Sequence, residues 1–141
     1  MNDEAVELRS VLADPALSGV YVVEASGSAD FLAAAMALDF AAVAIDLAGC
    51  ADKQEALRRL GAALKFPGWF GGNWDALADC LADMSWWPAA GYLLLLEHPA
   101  GWREAEPEEF DTALEIIEEA AQGWAAQHKP FWALLPEMDP D

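Results

Sequence analysis

The stretch Phe66-Pro67-Gly68-Trp69-Phe70-Gly71-Gly72-Asn73-Trp74-Asp75-Ala76-Leu77-Ala78-Asp79-Cys80-Leu81 decides how the chain is read. Pro67-Gly68 signals a turn, and Gly71-Gly72 relax the backbone where the chain must bend. Asn73 suits a helix N-cap, and the spacing predicts a helix running to about Met84. On that helix Trp74, Leu77, Leu81 and Met84 share one side. Asp75, Asp79 and Asp83 share another, four residues apart. A carboxylate at Asp75 offsets the positive helix end by about 0.3–1 kcal/mol. Asp79 and Asp83 have no such role, and like charges at this spacing repel by a few tenths of a kcal/mol per pair. A solvated acidic face is the bland reading of the stripe. The hinge and its aromatics invite a sharper one.

Working outward, a helix is expected over 2–13, with Val6, Leu8, Val11 and Leu12 as its apolar stripe, stopped by Asp14-Pro15. Gly19 to Glu24 reads as a strand. Ser28 is placed to cap a helix over 29–39. Ala41 to Leu47 is a second strand, and Asp52 opens a helix over 53–65 with Leu57, Leu60 and Leu64 inside. After the focal helix, Trp86-Trp87-Pro88 begins a loop. Tyr92 to Glu97 (YLLLLE) is almost wholly apolar, as for a central strand covered on both faces. Glu104 to Glu109 reads as an acidic lead-in to a long helix at about 107–127. Phe131 to Leu135 is a last strand, and 136–141 a polar tail. Strands alternating with helices point to a parallel α/β sheet with right-handed crossovers. With no linker composition or internal repeat, one domain over 1–141 is expected.

The charge narrows the partners. The chain has 141 residues and a net charge of −18, with seven Lys+Arg against 25 Asp+Glu. Such a field disfavours nucleic acid and anionic membrane as direct partners, and attracts a basic protein. The acidity is uneven: residues 66–128 hold twelve acids and one basic residue, Arg103, whereas 1–65 hold ten acids and five bases. At 55% hydrophobic residues the chain is not a disordered acidic tail. The acidic N-terminus lacks a signal-peptide n-region, and Cys50 and Cys80 form neither a disulfide framework nor a metal motif, so the cytoplasm is the expected compartment.

Catalytic signatures are missing. No phosphate-loop or dinucleotide-binding glycine pattern is present, nor a G-x-S-x-G elbow. His98 and His128 stand far apart, as strand-end or loop residues. Asp75 and Asp79 as a Mg²⁺ site or a glycosidase pair would lack flanking ligands. No enzymatic activity, metal or cofactor is expected.

The focal stretch resembles the signature of the barstar family, intracellular inhibitors of small secreted ribonucleases. The shared features are the proline turn, paired aromatics, glycine, Asn, then D-A-L-x-D-C-L. The strand ending Leu96-Glu97 and the pair Glu118-Glu119 before Ala120 agree as well. The resemblance implies a three-stranded parallel sheet with packed helices over a family core of 42–135. Residues 1–41 are then an N-terminal extension, a helix and a strand–helix unit whose strand 19–24 adds to the edge beside 43–47. It further implies that Trp69, Phe70, Gly71, Asn73, Asp75 and Asp79 form a partner-binding surface, with Glu119 contributing from the long helix. Asp79 would enter the phosphate site of a basic ribonuclease or nuclease toxin. This chain departs from the pattern at Trp69 and Phe70, where tyrosines are usual, at Gly72, where an acid is usual, and at Ala78, where an aromatic is usual. An alternative is therefore a non-inhibitory module of the same fold that binds another basic protein. Cys80 matches a family cysteine and belongs to the core, with most of the seven tryptophans; Trp69 is the one expected to be exposed.

Overall fold

A computed structural model describes residues 3–137, with side-chain environments for 7–136. Ten regular elements alternate along the chain: α1 (Asp3–Leu12), β1 (Gly19–Glu24), α2 (Ser28–Ala37), β2 (Ala41–Asp46), α3 (Lys53–Ala63), α4 (Trp74–Asp83), β3 (Tyr92–Glu97), α5 (Ala100–Ala105), α6 (Pro107–Ala125) and β4 (Phe131–Glu137). Asp52 and Asn73 act as N-caps, their side chains accepting from the backbone N–H of Glu55 and Ala76 at 2.9 and 2.8 Å. Caps of this kind contribute about 1 kcal/mol each. Met84 ends α4 in the left-handed conformation.

The sheet has four parallel strands in the order β1-β4-β3-β2. This corrects the expected place of the first strand. It pairs with β4, Gly19 opposite Trp132, at the far edge from β2. The sheet therefore has four strands rather than three, and the addition lies on the opposite side from the one anticipated. Connection geometry accounts for the arrangement. The steps β2→β3→β4 move across the sheet in one direction, and β1→β2 returns over its whole width. Right-handed crossovers running in opposite directions must lie on opposite faces.

The core divides accordingly. On one face Ile45, Leu94, Leu96, Phe131 and Ala133 pack with Leu57, Leu60, Leu77, Leu81, Trp102, Phe110 and Ile117 from α3 to α6. On the other, Leu93, Leu95, Trp132 and Leu134 meet Leu12, Ala34 and Ala35 from α1 and α2. The side chains of β3 alternate between the two layers, so an apolar run is needed there. The N-terminal segment is thus a covering layer as well as an edge strand. Specific bonds hold it: Trp132 Nε1 donates to the Leu12 carbonyl at 3.0 Å, and the Phe131 N–H donates to Ser18 Oγ at 3.0 Å. Ser18 is buried, and its carbonyl accepts from Gln122 Nε2 of α6 at 3.0 Å.

Smaller corrections concern element ends. Ser28 is the first residue of α2 rather than its cap; no side-chain cap bond is made there. A separate short helix, α5, precedes the long helix and overlaps only the first two residues of the acidic lead-in at 104–109; its Trp102 is buried and donates from Nε1 to Glu106 at 3.0 Å. The last strand continues through Pro136 and Glu137, because it pairs there with Val23 and Glu24. Pro136 is tolerated so close to the strand end. In α1, Leu12 is buried, Leu8 partly so and Val11 exposed, while the side chain of Val6 lies outside the described environments, as do Asn2 and residues 138–141 altogether.

The second layer makes a measurable claim. Leu12 is fully buried between α2 and Trp132. Leu12→Ala should lower the urea-unfolding free energy by about 2–4 kcal/mol, the usual cost of a buried Leu→Ala change. A loss near zero would mean that the N-terminal layer contributes nothing to stability.

Candidate functional site

The expected site lies on the segment between α3 and β3. Leaving α3, the chain reverses and climbs back along it. The Phe66 N–H donates to the Gly61 carbonyl at 2.9 Å, and the Phe70 N–H to Pro67 at 3.0 Å, closing the Pro67-Gly68 turn. The Phe70 ring lies so close to Gly61 that a Cβ there would approach it to 3.1 Å. The segment ends beside the start of α3, where Phe70 and Gly72 share an open cleft with Asp52, Glu55 and Arg58. Gly72 has φ of 70°, a left-handed conformation that strains most side chains. Asn73 then starts α4.

The starts of α3, α4 and α6 are gathered at the carboxyl end of the sheet. Lys53 joins them: its Nζ is 3.7 Å from Glu109 Oε2 of α6 and 5.6 Å from the centre of the Trp74 ring of α4. At the other end, Trp124 Nε1 donates to the Leu81 carbonyl at 2.8 Å. Helix α4 is therefore clamped along its length. Leu77, Cys80, Leu81 and Met84 are buried, and Trp74 is partly so. Asp75, Asp79 and Asp83 point outward, all exposed. None of them has an ion-pair partner among the described residues.

The two loop aromatics differ. Trp69 is 57% exposed, whereas Phe70 is half-buried. Phe70 stacks edge-on against Phe66 at 4.8 Å, Phe66 meets Trp86 at 5.7 Å, and Trp69 meets Trp86 at 6.1 Å. Trp86 is fixed by its Nε1–H, which donates to the Leu64 carbonyl at 3.1 Å. The sequence reading places Trp86 at the start of a loop and among the mostly buried tryptophans, without its role as a support for Trp69; the Trp-Trp-Pro run was the available signal for that role. Edge-to-face contacts of this kind each contribute about 0.5–1.5 kcal/mol beyond area burial. They hold the exposed indole in place before any partner arrives.

Gly71 and Asn73 are exposed on the same segment. Glu119 is exposed too, on α6, which packs against α4. It lines a different cleft, however, with Val20, Leu114, Glu115 and Glu118 on the flank of α6 next to β1. The structure thus brings Trp69, Asn73, Asp75 and Asp79 together on one segment, uses Phe70 as their support, and sets Glu119 apart on the neighbouring helix.

Nearby cations are already occupied. Glu55 accepts from Nε of Arg58 and Arg59 at 2.8 Å each, and Arg59 Nη1 donates to the Ala48 carbonyl at 2.6 Å. The bonds to Arg58 and then Arg59 hold the Glu55 carboxyl down to about 2 from an ordinary 4.5. The Asp46 carboxyl is also lowered, first by the Ala48 N–H and then by His98, whose Nδ1 lies 3.0 Å away. Burial raises both cysteine thiols; at Cys80 the carboxylates of Asp79 and Asp83 add to the effect. These are inert core thiols. Among the described residues no cluster of three or more His, Cys, Asp or Glu is placed to hold a metal.

Comparison with known proteins fits this geometry. A family model described as "Barstar (barnase inhibitor)" matches residues 40–136. The chain belongs to the barstar family. Its match begins where β2 begins and ends within β4, so α1, β1 and α2 lie outside the shared barstar region. No curated protein matches. Among solved structures, a chain from the structure of Drosophila ORC bound to DNA superposes with a TM-score of 0.55 at 12% identity. That overlay covers 96% of this chain but only 36% of the other, and it speaks to the fold alone.

Two measurements check the site's chemistry. The Glu55 carboxyl should titrate by NMR near 2. Because its folded value is depressed, it contributes stability at pH above about 4.5, lost progressively as pH falls towards 2. Cys50 and Cys80 should resist alkylation in the native protein at neutral pH and react at the free-thiol rate in denaturant; rapid native labelling of either would contradict their burial.

Proposed function

We propose that this barstar-family protein inhibits a basic ribonuclease or related nuclease toxin by occluding its active site. What carries the reading is the conjunction of the family match over 40–136 with two exposed aspartates, Asp75 and Asp79, free of ion-pair partners among the described residues on a helix fixed along its other face. A carboxylate pair on a rigid helix presents negative charge much as a phosphate backbone does. Helix α4 would enter the nuclease cleft. Asp79 would take the place of a substrate phosphate and accept from Arg, Lys or protonated His, and Asp75 would pair with a second cation. Trp69 would pack at the margin and exclude water, with Asn73 and Gly71 closing against the partner's backbone. Glu119, one helix away, would serve as a peripheral contact that speeds encounter.

The charge pairs are worth forming because no described residue of the free protein pairs with these carboxylates. In a dry interface close charge pairs couple by about 1.5–7 kcal/mol, a range that comes from this family's own ribonuclease–inhibitor pair and is used here by analogy. Long-range attraction follows from the net charge of −18.

The departures at Trp69, Phe70, Gly72 and Ala78 favour a second reading, in which the same surface serves a different basic protein. Loss of phenolic hydroxyls removes hydrogen bonds while keeping apolar area, which changes partner choice more than it removes binding.

A panel of basic ribonucleases, with any nuclease encoded beside this protein, is the direct test. Asp79→Ala should weaken inhibition of the cognate enzyme by about two to three orders of magnitude, the scale of breaking a desolvated charge pair. Asp83→Ala should change it little, and both variants should unfold at or slightly above the wild-type denaturant midpoint, since each removes a like-charge repulsion from α4. Inhibition that survives Asp79→Ala would remove the assignment. Inhibition of no enzyme, with retention of another basic protein that depends on Asp75 and Asp79, would establish the second reading.

A further inference from the structure

The N-terminal addition leaves its own strand at the edge of the sheet. Among the described residues β1 pairs only with β4, and Val22 in its middle is 59% exposed. Backbone groups of a strand alternate in direction. The Val20 N–H is directed away from β4, because it donates to Glu118 Oε1 of α6 at 2.9 Å. The N–H groups of Val22 and Glu24 therefore point the same way, past the reach of that carboxylate. Glu118 covers the beginning of the edge and leaves the remainder open.

Beside this edge lies the cleft between β1 and α6. Val20 and Leu114 form its apolar floor, and Glu115, Glu118 and Glu119 its rim. An edge with free donors, an apolar floor and an anionic rim has the elements of strand addition: backbone bonds supply affinity and alternate side chains enter the cleft. We propose that β1 and α6 form a second interaction surface, which takes an extended, lysine- or arginine-bearing peptide segment as a fifth strand. Charge selects the occupant. A second copy of this chain would bring another −18 to a rim of glutamates. Its cations are also mostly engaged: Lys53 with Glu109, Arg58 and Arg59 with Glu55, Lys65 over Trp87 and Lys129 over Trp124. A basic strand from another protein meets the rim with the opposite sign. The site depends on β1, which lies outside the family match, and shares only the peripheral Glu119 with the surface proposed around α4.

The test uses the full chain and a blocked peptide of about eight residues alternating lysine and valine, with a glutamate–valine peptide as control, at low salt. Amide exchange by NMR should show added protection at Val22 and Glu24 with the lysine peptide and none with the control. Glu115→Lys should weaken binding about three- to tenfold, since an attractive exposed pair becomes a repulsive one. Val22→Pro, which removes an outward donor while keeping the β4 ladder, should abolish the protection at Glu24. The double variant Asp75→Ala/Asp79→Ala should bind the peptide as the wild type does, whether or not it inhibits a nuclease. If Val22→Pro fails to fold, Glu115→Lys and the control peptide decide. Protection confined to α4, equal binding of the glutamate peptide, unchanged affinity in Glu115→Lys, or loss of binding in the Asp75/Asp79 variant would each overturn the proposal.

Discussion

Everything in this molecule follows from the need to bury β3 on both faces. Tyr92, Leu93, Leu94, Leu95 and Leu96 are all at most 3% exposed. A strand with apolar side chains on both sides requires two helical layers, since neither face tolerates water. The layer built from α3 to α6 accounts for Tyr92, Leu94 and Leu96, and leaves Leu93 and Leu95 uncovered. Residues before β2 supply the missing cover. The extension is therefore a structural requirement of this β3 as much as an appendage. Its strand reaches β4 and not β2 because the helix that covers the second face must travel back across the sheet.

The candidate surface draws its rigidity from the same packing. Helix α4 cannot roll, because Leu77, Cys80 and Leu81 are fixed inside and Trp124 holds the backbone near its end. Its acidic face is consequently presented at one angle. The preceding loop, although rich in glycine, is stiffened by the chain of rings Phe70, Phe66, Trp86 and Trp69. Less ordering entropy remains to be lost on binding when the contact groups are already held.

Much of this was legible in the residues. The boundaries of β3, the N-caps Asp52 and Asn73, the two faces of α4 and the exposure of Trp69 all follow from local periodicity and turn chemistry, which short-range physics dictates. The membership was carried by a sixteen-residue motif. Four things were not legible, three of them because they depend on long-range packing. The partner of β1 depends on crossover direction, which no local pattern encodes. Helix α5 is short, and its acidic surroundings hid the one residue, Trp102, that fixes it. Phe70 reads like Trp69 in sequence, and only the approach of the loop to Gly61 separates a supporting ring from an exposed one. Whether Glu119 sits with Asp79 was likewise a matter of helix rotation rather than composition.

The outward aspartates of α4 also carry a cost within the protein itself. Asp75, Asp79 and Asp83 stand four residues apart, without ion-pair partners among the described residues, in a chain already strongly anionic. Lysines interleaved on that face would relieve the repulsion by a few tenths of a kcal/mol each and raise stability. They would also give the surface the internal counterions that the proposed basic partner would otherwise provide. On the proposed reading, association would discharge this repulsion, and selection for a more stable monomer would act directly against selection for a tighter ligand.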